Sequence, residues 1–438
     1  MTGIETQPWD PLSAGRAARP WLWAGLAVLV CSLQGIDFVH SLRPPRTRGV
    51  DLFQDWASAR NLLTGLPVYS SHRETIERYL GYRAAEVNID IDVNAHPPSS
   101  ILLVLPFARL DYPDAVLAWN VASLAAFGIT LWILARQLRF RPRRWSIFPL
   151  IAVLLICSPF REQVSQGQLN LVILLLITGA WACERSGHPL PAGALLGAVA
   201  AIKLFPGFLF VYFLIRRQWT VIAAGVASFV LVTGVSVAVM GVGTYHGYIV
   251  DVMPEVQRLQ SSWINVSIPG LWAKLFDPRN PLDRVQPLWR SPMLARLTTW
   301  ASQLSVVAVL YLAIRRARTR AEQDVAFGLT VTAMLLVSPI TWHHYFLLLL
   351  LPVTLLWLSL PPAGSARIAF LLLFSVLFFV NPLQLSDAFV PGGYPNGTAL
   401  PVHTLTVLSL QCYALVGLFV FGVLTSREAV PFSPQPSR

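Results

Sequence analysis

The chain has 438 residues, of which 55% are hydrophobic and only 13% are charged, and its formal net charge is +11. A soluble domain carries roughly a quarter charged residues, so this composition excludes an ordinary water-soluble globular protein. The positive charge is almost all arginine, much of it in short segments between apolar runs. That distribution is typical of membrane orientation and speaks against a nucleic-acid-binding surface.

Six apolar runs approach the ~20 residues that a helix needs to cross a bilayer. They are Trp21–Leu33, Val116–Leu134, Val221–Met240, Leu297–Ile314, Arg367–Val380 and Val402–Leu424. Because backbone groups in lipid must pair within their own segment, these runs are predicted to be helices. With the shorter apolar runs between them, we expect an all-α, polytopic integral membrane protein with roughly 11–13 transmembrane or re-entrant helices.

Arginine clusters predict which helix ends face the cytoplasm, since short cytoplasmic loops are rich in Arg and Lys. If the N-terminus is cytoplasmic, every short arginine cluster also lies on the cytoplasmic side. These clusters are Arg136–Arg144, Arg216–Arg217 and Arg315–Arg320. The first apolar run is read as a retained helix, because no small-residue cleavage site clearly follows it.

This threading predicts a multi-pass protein of the cytoplasmic membrane whose chemistry lies on the external, periplasmic face. One transmembrane domain spans residues 21–424, between a cytoplasmic N-terminus at residues 1–20 and a cytoplasmic tail at residues 425–438. Two long loops are external, at residues 41–98 and 241–296. The weakest point is the pair of runs on either side of Lys203, which one continuous span could replace.

The first external loop holds Asp51 and Asp55, whose i, i+4 spacing places two carboxylates on one helical face. Two carboxylates held close together repel one another, which makes one of them a better general base. The alternative is that Asp51 only caps a helix and Asp55 is solvated. Later in the loop, His96 stands before Pro97 and Pro98 on a stiff corner, as a ligand-binding or a structural residue.

Polar residues also interrupt apolar sequence further along the chain. Gln168 and Asn170 open a membrane helix, where unpaired amides are costly, so they bind a polar ligand or lock helices together. Lys203 lies between apolar runs that offer no carboxylate partner, and a lipid phosphate would serve as its counter-ion. The alternative for Lys203 is that its long side chain reaches the membrane surface.

His343 and His344 join two helices on the external side, where a histidine could donate to a phosphate leaving group. Adjacent residues point in different directions on a helix, so these two alone do not predict a metal site. Asp90 and Asp92 have the spacing of an Asp-x-Asp metal motif, but we interpret them as loop surface. We therefore expect no metal and no cofactor.

The order of these features resembles glycosyltransferase family 87, the polyprenyl-phosphate-sugar-dependent mannosyl- and arabinofuranosyltransferases of bacterial envelopes. The likeness covers roughly Gly49 to Leu351 and depends on order and placement, since no single motif is specific. Its elements are the aspartates of the first loop, Leu105-Pro106-Phe107, Gly167-Gln168-Leu-Asn170, Gly197-x-x-x-Ala-Ile-Lys203, Asn265-x-Ser267-x-x-Gly270 and Ser338-Pro-x-x-Trp342-x-His344-Tyr345.

The resemblance implies a C-type membrane glycosyltransferase fold, a lipid-borne donor that enters from the bilayer, an envelope glycan or glycolipid acceptor, and inversion at the anomeric carbon. It makes Asp51 the base; Asp55, where the family often has an apolar residue, is assigned to acceptor orientation. The remaining assignments are substrate-binding. The resemblance places Lys203 and His344 at the phosphate, and Gln168 and Asn170 at the sugar or between helices. His343, His96 and Asn265 complete the substrate-binding set.

Two other functions are compatible with the same composition. A lipid-linked sugar transporter or flippase would place charges along a path across the bilayer, whereas the polar residues here collect towards one face. An envelope polysaccharide polymerase or ligase would rely on arginines of a large external loop. A non-catalytic scaffold is the third alternative, in which Asp51, Lys203 and His344 would be replaceable.

Overall fold

The computed structural model describes residues 20–82, 91–140 and 146–425. Within these ranges the chain is mainly helical, and the sole β-bridge is an isolated one between Val285 and Ala399. The predicted all-α class is confirmed. Most of the predicted N-terminal flank and C-terminal tail, and Arg141, Arg143 and Arg144, lie outside the described residues.

The first part of the chain carries two long helices and several short ones. They are α1 (Pro20–Leu42), α2 (Leu52–Leu63), α3 (His72–Leu80), α4 (Pro98–Val104), α5 (Tyr112–Gln137), α6 (Ile147–Ile156) and α7 (Ser158–Gln166). A 3-10 helix, Leu105–Arg109, continues α4, so the short apolar piece that follows His96 is helical.

The middle and last parts are helical in the same way. The middle helices are α8 (Asn170–Arg185), α9 (Pro189–Ile202), α10 (Phe210–Ile215), α11 (Trp219–Met240), α12 (Val242–Gly247), α13 (Met253–Arg258) and α14 (Ile268–Phe276). The last are α15 (Pro292–Arg316), α16 (Arg320–Val337), α17 (Leu350–Ser359), α18 (Ser365–Phe379), α19 (Pro382–Phe389), α20 (Pro401–Leu405) and α21 (Leu410–Thr425).

Among the described residues, five apolar stretches are long enough to cross a membrane: α1, α5, α11, α15 and the segment formed by α20 and α21. Two bent pairs, α6–α7 and α18–α19, give seven if each counts as one span. On α15, Trp300 and Leu304 leave more than half of their surface uncovered, as expected of side chains that face lipid. Shorter apolar helices at Pro98–Arg109, Pro189–Ile202, Phe205–Ile215 and His343–Ser359 account for the larger predicted number.

The candidate site residues and an ion-paired cluster that contains Arg185 and Arg320 lie at opposite ends of the bundle. Helix α8 starts at Asn170 and ends at Arg185, and α16 runs from Arg320 towards His343 and His344. At the arginine end, Arg320 pairs with Glu184 at 2.8 Å and Arg185 pairs with Asp324, which also accepts from Trp181 at 2.9 Å. These partly buried pairs connect α8 to α16 at the end away from the predicted site.

Glycines bring α9 against α11 and so place the residue that follows α9. A Cβ added to Gly193 would lie 2.2 Å from the Val221 carbonyl oxygen. A Cβ added to Gly197 would lie 2.0 Å from the Gly225 carbonyl oxygen. Small residues at this spacing allow two membrane helices to approach closely. The sequence motif Gly197-x-x-x-Ala-Ile-Lys203 is therefore a packing surface that ends at Lys203.

Candidate functional site

Asp51 immediately precedes α2, with a helical backbone (φ −56°, ψ −32°) and no capping hydrogen bond from its side chain. Its carboxylate instead accepts from Gln168 Nε2, and its N–H donates to Gln166 Oε1 at 3.2 Å. The side chain is half-buried. Asp51 is thus held by the turn between α7 and α8 and keeps lone pairs free to accept a proton.

The α7–α8 turn brings its two amides to Asp51 because of a glycine. Gly167 has φ +63°, and a Cβ there would lie 2.8 Å from the Leu52 Cβ, so only glycine fits against α2. Gln163 holds the turn from inside, since its side chain accepts from Asn170 Nδ2 at 3.0 Å and donates to the Gln168 carbonyl oxygen. Gln168 Oε1 and Asn170 Oδ1 are buried without a hydrogen-bond partner.

Asp55 is one turn further along α2 and is only 1% exposed, which rules out the solvated alternative. Its carboxylate lies 2.8 Å from His96 Nδ1 and accepts from Asn94 Nδ2 at 3.2 Å and Ser100 Oγ at 3.3 Å. These three contacts tie α2 to the corner at the start of α4. Asp51 and Asp55 therefore have different partners, although both belong to the same short stretch.

Lys203 follows α9 in an extended conformation and is buried, so its side chain does not reach the membrane surface. Its ammonium donates to the Tyr345 hydroxyl at 3.1 Å and lies 4.4 Å from the centre of the same ring. The Phe205 ring stacks on the Tyr345 ring, with the two ring centres 5.1 Å apart. The charged groups that act on the ammonium electrostatically are Asp55 and Asp51, both from the first loop.

A second buried lysine shows how a purely structural ammonium is satisfied. Lys274 on α14 donates to the backbone carbonyls of Asn265, Trp263 and Leu408 at 2.8, 3.4 and 3.3 Å. Burial lowers the pKa of Lys274 to about 8. An ammonium has three donor hydrogens; those of Lys274 all have acceptors, whereas Lys203 has one acceptor. Lys203 is thus equipped to receive an anion.

His343 and His344 open the 3-10 helix His343–Leu349, directly after the extended backbone of Trp342. Their Nδ1 atoms lie 2.8 and 3.0 Å from the two carboxylate oxygens of Glu162, one from each ring. The expectation that adjacent histidines face apart is wrong here, because one carboxylate offers an oxygen to each. Both Nε2 atoms are buried without a hydrogen-bond partner.

Asn265 has its entire side-chain amide engaged within the protein. Nδ2 donates to the carbonyls of Gln260 at 2.8 Å and Pro339 at 3.0 Å. Oδ1 accepts from the N–H groups of Ser267 at 3.1 Å and Thr341 at 3.0 Å. Two donors and two acceptor positions are all that an amide has, so no atom of Asn265 is left for a ligand in this structure.

We expect Asn265→Ala to destabilise the protein rather than to alter its choice of substrate. The change leaves the buried N–H groups of Ser267 and Thr341 unpaired, and also the partly buried Gln260 carbonyl. The Pro339 carbonyl still accepts from Ser267 Oγ at 3.3 Å. Each unpaired group costs about 1–3 kcal/mol. The melting temperature of the protein in detergent should fall by several degrees. An unchanged melting temperature together with a higher Michaelis constant for one substrate would contradict the structural role of Asn265.

Helix α7 is the element that sequence reasoning missed. It presents Glu162 to the histidines, Gln163 to the α7–α8 turn and Gln166 to the Asp51 backbone. The available signal was the charged pair Arg161-Glu162 between two apolar runs, since an ionisable residue at membrane depth is a candidate for function.

The possible Asp-x-Asp motif is only half described, because Asp90 lies outside the described residues. Asp92 accepts from Ser71 Oγ at 2.8 Å and from the Arg73 N–H at 3.1 Å, which fixes the start of α3. Across residues 20–82, 91–140 and 146–425, no group of three or more His, Cys, Asp or Glu side chains is arranged to hold a metal ion.

Known proteins similar to this chain are polyprenol-phosphate-mannose-dependent mannosyltransferases by name. The chain is 25% identical over 429 residues, which are 94% of this chain and 91% of the relative, to the polyprenol-phosphate-mannose-dependent alpha-(1-2)-phosphatidylinositol mannoside mannosyltransferase of Mycobacterium tuberculosis. It is 27% identical over 288 residues, 58% of this chain and 59% of the relative, to the protein of the same name from Mycolicibacterium smegmatis.

A third relative, a polyprenol-phosphate-mannose-dependent alpha-(1-2)-phosphatidylinositol pentamannoside mannosyltransferase from Mycobacterium tuberculosis, is 25% identical over 371 residues, 82% of this chain and 78% of that protein. Residues 94–339 match the sequence description of Glycosyltransferase family 87. Because this match takes in more than half of the chain, the resemblance inferred from the motifs is confirmed. The protein belongs to glycosyltransferase family 87 and is a membrane glycosyltransferase.

Proposed function

We propose that the protein transfers a mannosyl unit from a polyprenyl-phosphate mannose donor to a phosphatidylinositol-linked mannoside or a similar envelope glycolipid. The relatives are named for that donor and that class of acceptor, which favours mannose over arabinofuranose. The observation that carries the proposal is the placement of Lys203. Within the described residues its ammonium has a single acceptor, the Tyr345 hydroxyl, and the carboxylates that act on it are those of Asp55 and Asp51.

In this reaction Asp51 is the general base. The acceptor hydroxyl oxygen forms a bond to the anomeric carbon while the bond from that carbon to the phosphate oxygen breaks. The hydroxyl proton passes to the Asp51 carboxylate, and the electron pair of the broken bond leaves with the lipid phosphate. In the proposed arrangement the base and the phosphate site lie on opposite sides of the sugar, so the proposed transfer is a single displacement with inversion.

Lys203 stabilises the negative charge that develops on the departing phosphate. A fixed cation in a water-poor site acts strongly on such charge and needs no reorganisation during the reaction. Asp55, held by three contacts, positions α2 and the His96 corner and so keeps Asp51 in place. Gln168 Oε1 and Asn170 Oδ1, which lack partners in the protein, are suited to sugar hydroxyls.

The function is tested by incubating the purified protein with polyprenyl-phosphate mannose and polyprenyl-phosphate arabinofuranose, each with and without a phosphatidylinositol mannoside. We expect loss of the mannose donor, release of polyprenyl phosphate and growth of the acceptor, only when both substrates are present. If neither donor is consumed, but labelled donor crosses the bilayer of vesicles that contain the pure protein, the protein is a flippase and the proposal is wrong.

We propose further that the site lies on the external face of the cytoplasmic membrane, with residues 41–98 and 241–296 outside. The support is that α8 and α16 lead from the site to an end rich in arginine, and short arginine-rich loops are cytoplasmic. An envelope polymerase or ligase would have the same orientation. The substrates that are consumed, and not the topology, therefore distinguish it from the proposed mannosyltransferase.

Labelling of single cysteines tests this orientation. Glu77 on α3 and His188 between α8 and α9 are exposed and belong to opposite ends of the bundle. In a Cys31→Ser background, which removes the one exposed native thiol of the described residues, Glu77→Cys should react with a membrane-impermeant maleimide in intact cells. His188→Cys should react only after the cells are opened; reaction of both in intact cells would overturn the proposed topology.

A further inference from the structure

One carboxylate holds two histidines in the site, and none of these three residues has a role in the reaction steps proposed above. Glu162 lies on α7, and each of its oxygens takes one Nδ1, at 2.8 Å from His343 and at 3.0 Å from His344. Both rings are almost fully buried, at 1% and 3% exposure. The two Nε2 atoms are also buried and have no hydrogen-bond partner.

This geometry fixes how each ring presents itself. An ionised carboxylate only accepts hydrogen bonds, so each Nδ1 carries its hydrogen towards Glu162 and each Nε2 points away from it. A carboxylate on one imidazole nitrogen is a common way to orient the other nitrogen for a ligand. Neighbouring rings then limit rotation of each imidazole. The ring centres of Phe346 and His343 are 5.8 Å apart, and those of Tyr345 and His344 are 5.0 Å apart.

The neighbours of the histidines indicate what the two nitrogens bind. Tyr345, which contacts His344, accepts the hydrogen bond of the Lys203 ammonium. Lys203 and His344 therefore contact the same tyrosine, and His343 is held beside them by the carboxylate it shares with His344. Among the described residues, the Nε2 atoms of both rings have no hydrogen-bond partner. A ring held between a carboxylate on Nδ1 and a phosphate oxygen on Nε2 is an imidazolium that donates at both ends.

We propose that Glu162 is a positioning residue that directs His343 and His344 at the phosphate of the lipid-linked donor, which they bind together with Lys203. This inference rests on the proposed function. During transfer the phosphate gains the electron pair of the broken bond, and the two Nε2–H groups then donate to its oxygens. Glu162 itself touches neither the sugar nor the phosphate.

The test compares Glu162→Gln with the unaltered protein. Glutamine has the same shape, but its amide nitrogen cannot accept from an Nδ1–H, so one histidine loses its anchor. Loss of one charge-assisted contact should raise the donor KM and the inhibition constant of a short-chain polyprenyl phosphate by about tenfold to a hundredfold. The acceptor KM should change less than about twofold.

Two further variants separate positioning from folding. Glu162→Asp keeps the negative charge and both acceptor oxygens but is one methylene shorter, so both hydrogen bonds lengthen. It should give a smaller loss of donor affinity than Glu162→Gln. Glu255→Gln removes an exposed carboxylate that pairs with Arg258 at 2.9 Å, outside the site, and should leave all constants unchanged. If Glu162→Gln raises donor and acceptor KM alike and lowers the melting temperature, Glu162 is only structural and the inference is wrong.

Binding measurements keep this inference separate from the proposed reaction. The shift in melting temperature with short-chain polyprenyl phosphate, and with inorganic phosphate, is measured for both proteins. A shift in the unaltered protein that Glu162→Gln loses supports the inference even if no sugar is transferred, in which case the proposed function alone fails. Equal shifts in both proteins, or activity that a chelator removes and a divalent cation restores, would overturn the inference, since the nitrogens would then not hold phosphate.

Discussion

Asp51→Asn is expected to abolish measurable mannosyl transfer while the protein remains folded in the membrane. Removal of a general base lowers turnover by about 10²–10⁴-fold. Asparagine is nearly the same size and still offers an oxygen to Gln168 Nε2, which donates to the carboxylate in the unaltered protein. The loss should therefore appear in kcat, with little change in the melting temperature or in donor binding.

The matched control is Asp114→Asn at the same end of the bundle. Asp114 is exposed and forms an ion pair with Arg43 at 2.8 Å, which is worth little in water. This variant should keep nearly full activity. If Asp51→Asn retains turnover comparable to that of the control, Asp51 is not the base, and the buried carboxylate of Asp55 becomes the next residue to test.

Lys203→Met is expected to lower kcat/KM for the polyprenyl-phosphate donor by about 10²–10³-fold, the usual effect of removing one fixed group that stabilises developing negative charge. Methionine keeps the unbranched apolar stem that packs beside Tyr345 but carries no charge. The acceptor KM should change far less than the donor constants, because the ammonium faces the phosphate in the proposed reaction. The measurement is a full set of constants for both substrates.

Lys274→Met is the control that separates catalysis from packing. Lys274 is equally buried, but its ammonium donates to three backbone carbonyls and has no place in the proposed reaction. Loss of these bonds should lower the melting temperature while the ratio of donor to acceptor KM stays constant. Equal losses of donor and acceptor affinity in Lys203→Met, accompanied by lower stability as in Lys274→Met, would make Lys203 a packing residue.

The long helices were predictable because a bilayer imposes one simple rule on the sequence. A run such as Val221–Met240 must pair its own backbone groups, so length and apolar composition predict α11 almost residue for residue. The bend between α6 and α7, 71° at Cys157, was not predictable in this way. It depends on Pro159 at the start of α7 and on contacts with α1 that lie far away in sequence.

The site was partly predictable for a similar reason. Lys203 stood out because an isolated cation in apolar sequence needs a partner, and the structure buries it near Asp51. Glu162 did not stand out, since its task depends on two histidines that follow it by 181 and 182 positions. Asn265 was assigned to substrate binding by resemblance. In the structure, its side-chain amide forms all of its hydrogen bonds with backbone groups of nearby loops.

The glycine-containing motifs that carried the resemblance have structural explanations. Gly167 permits the left-handed turn against α2, and Gly197 permits contact with α11. A Cβ on Gly270 would lie 2.5 Å from the Asn265 side-chain amide nitrogen. The motif Asn265-x-Ser267-x-x-Gly270 therefore fixes the loop before α14, and Ser267 caps that helix. Spacing could reveal these motifs, but only packing explains why they require glycine.

The most direct test of the central claim is a structure of the Asp51→Asn protein with polyprenyl-phosphate mannose bound. We predict a phosphate oxygen within about 3.2 Å of Lys203 Nζ, the sugar between that phosphate and residue 51, and the isoprenoid chain leading into the bilayer. A phosphate bound among the arginines at the other end of the bundle, or a sugar that residue 51 cannot reach, would contradict the account.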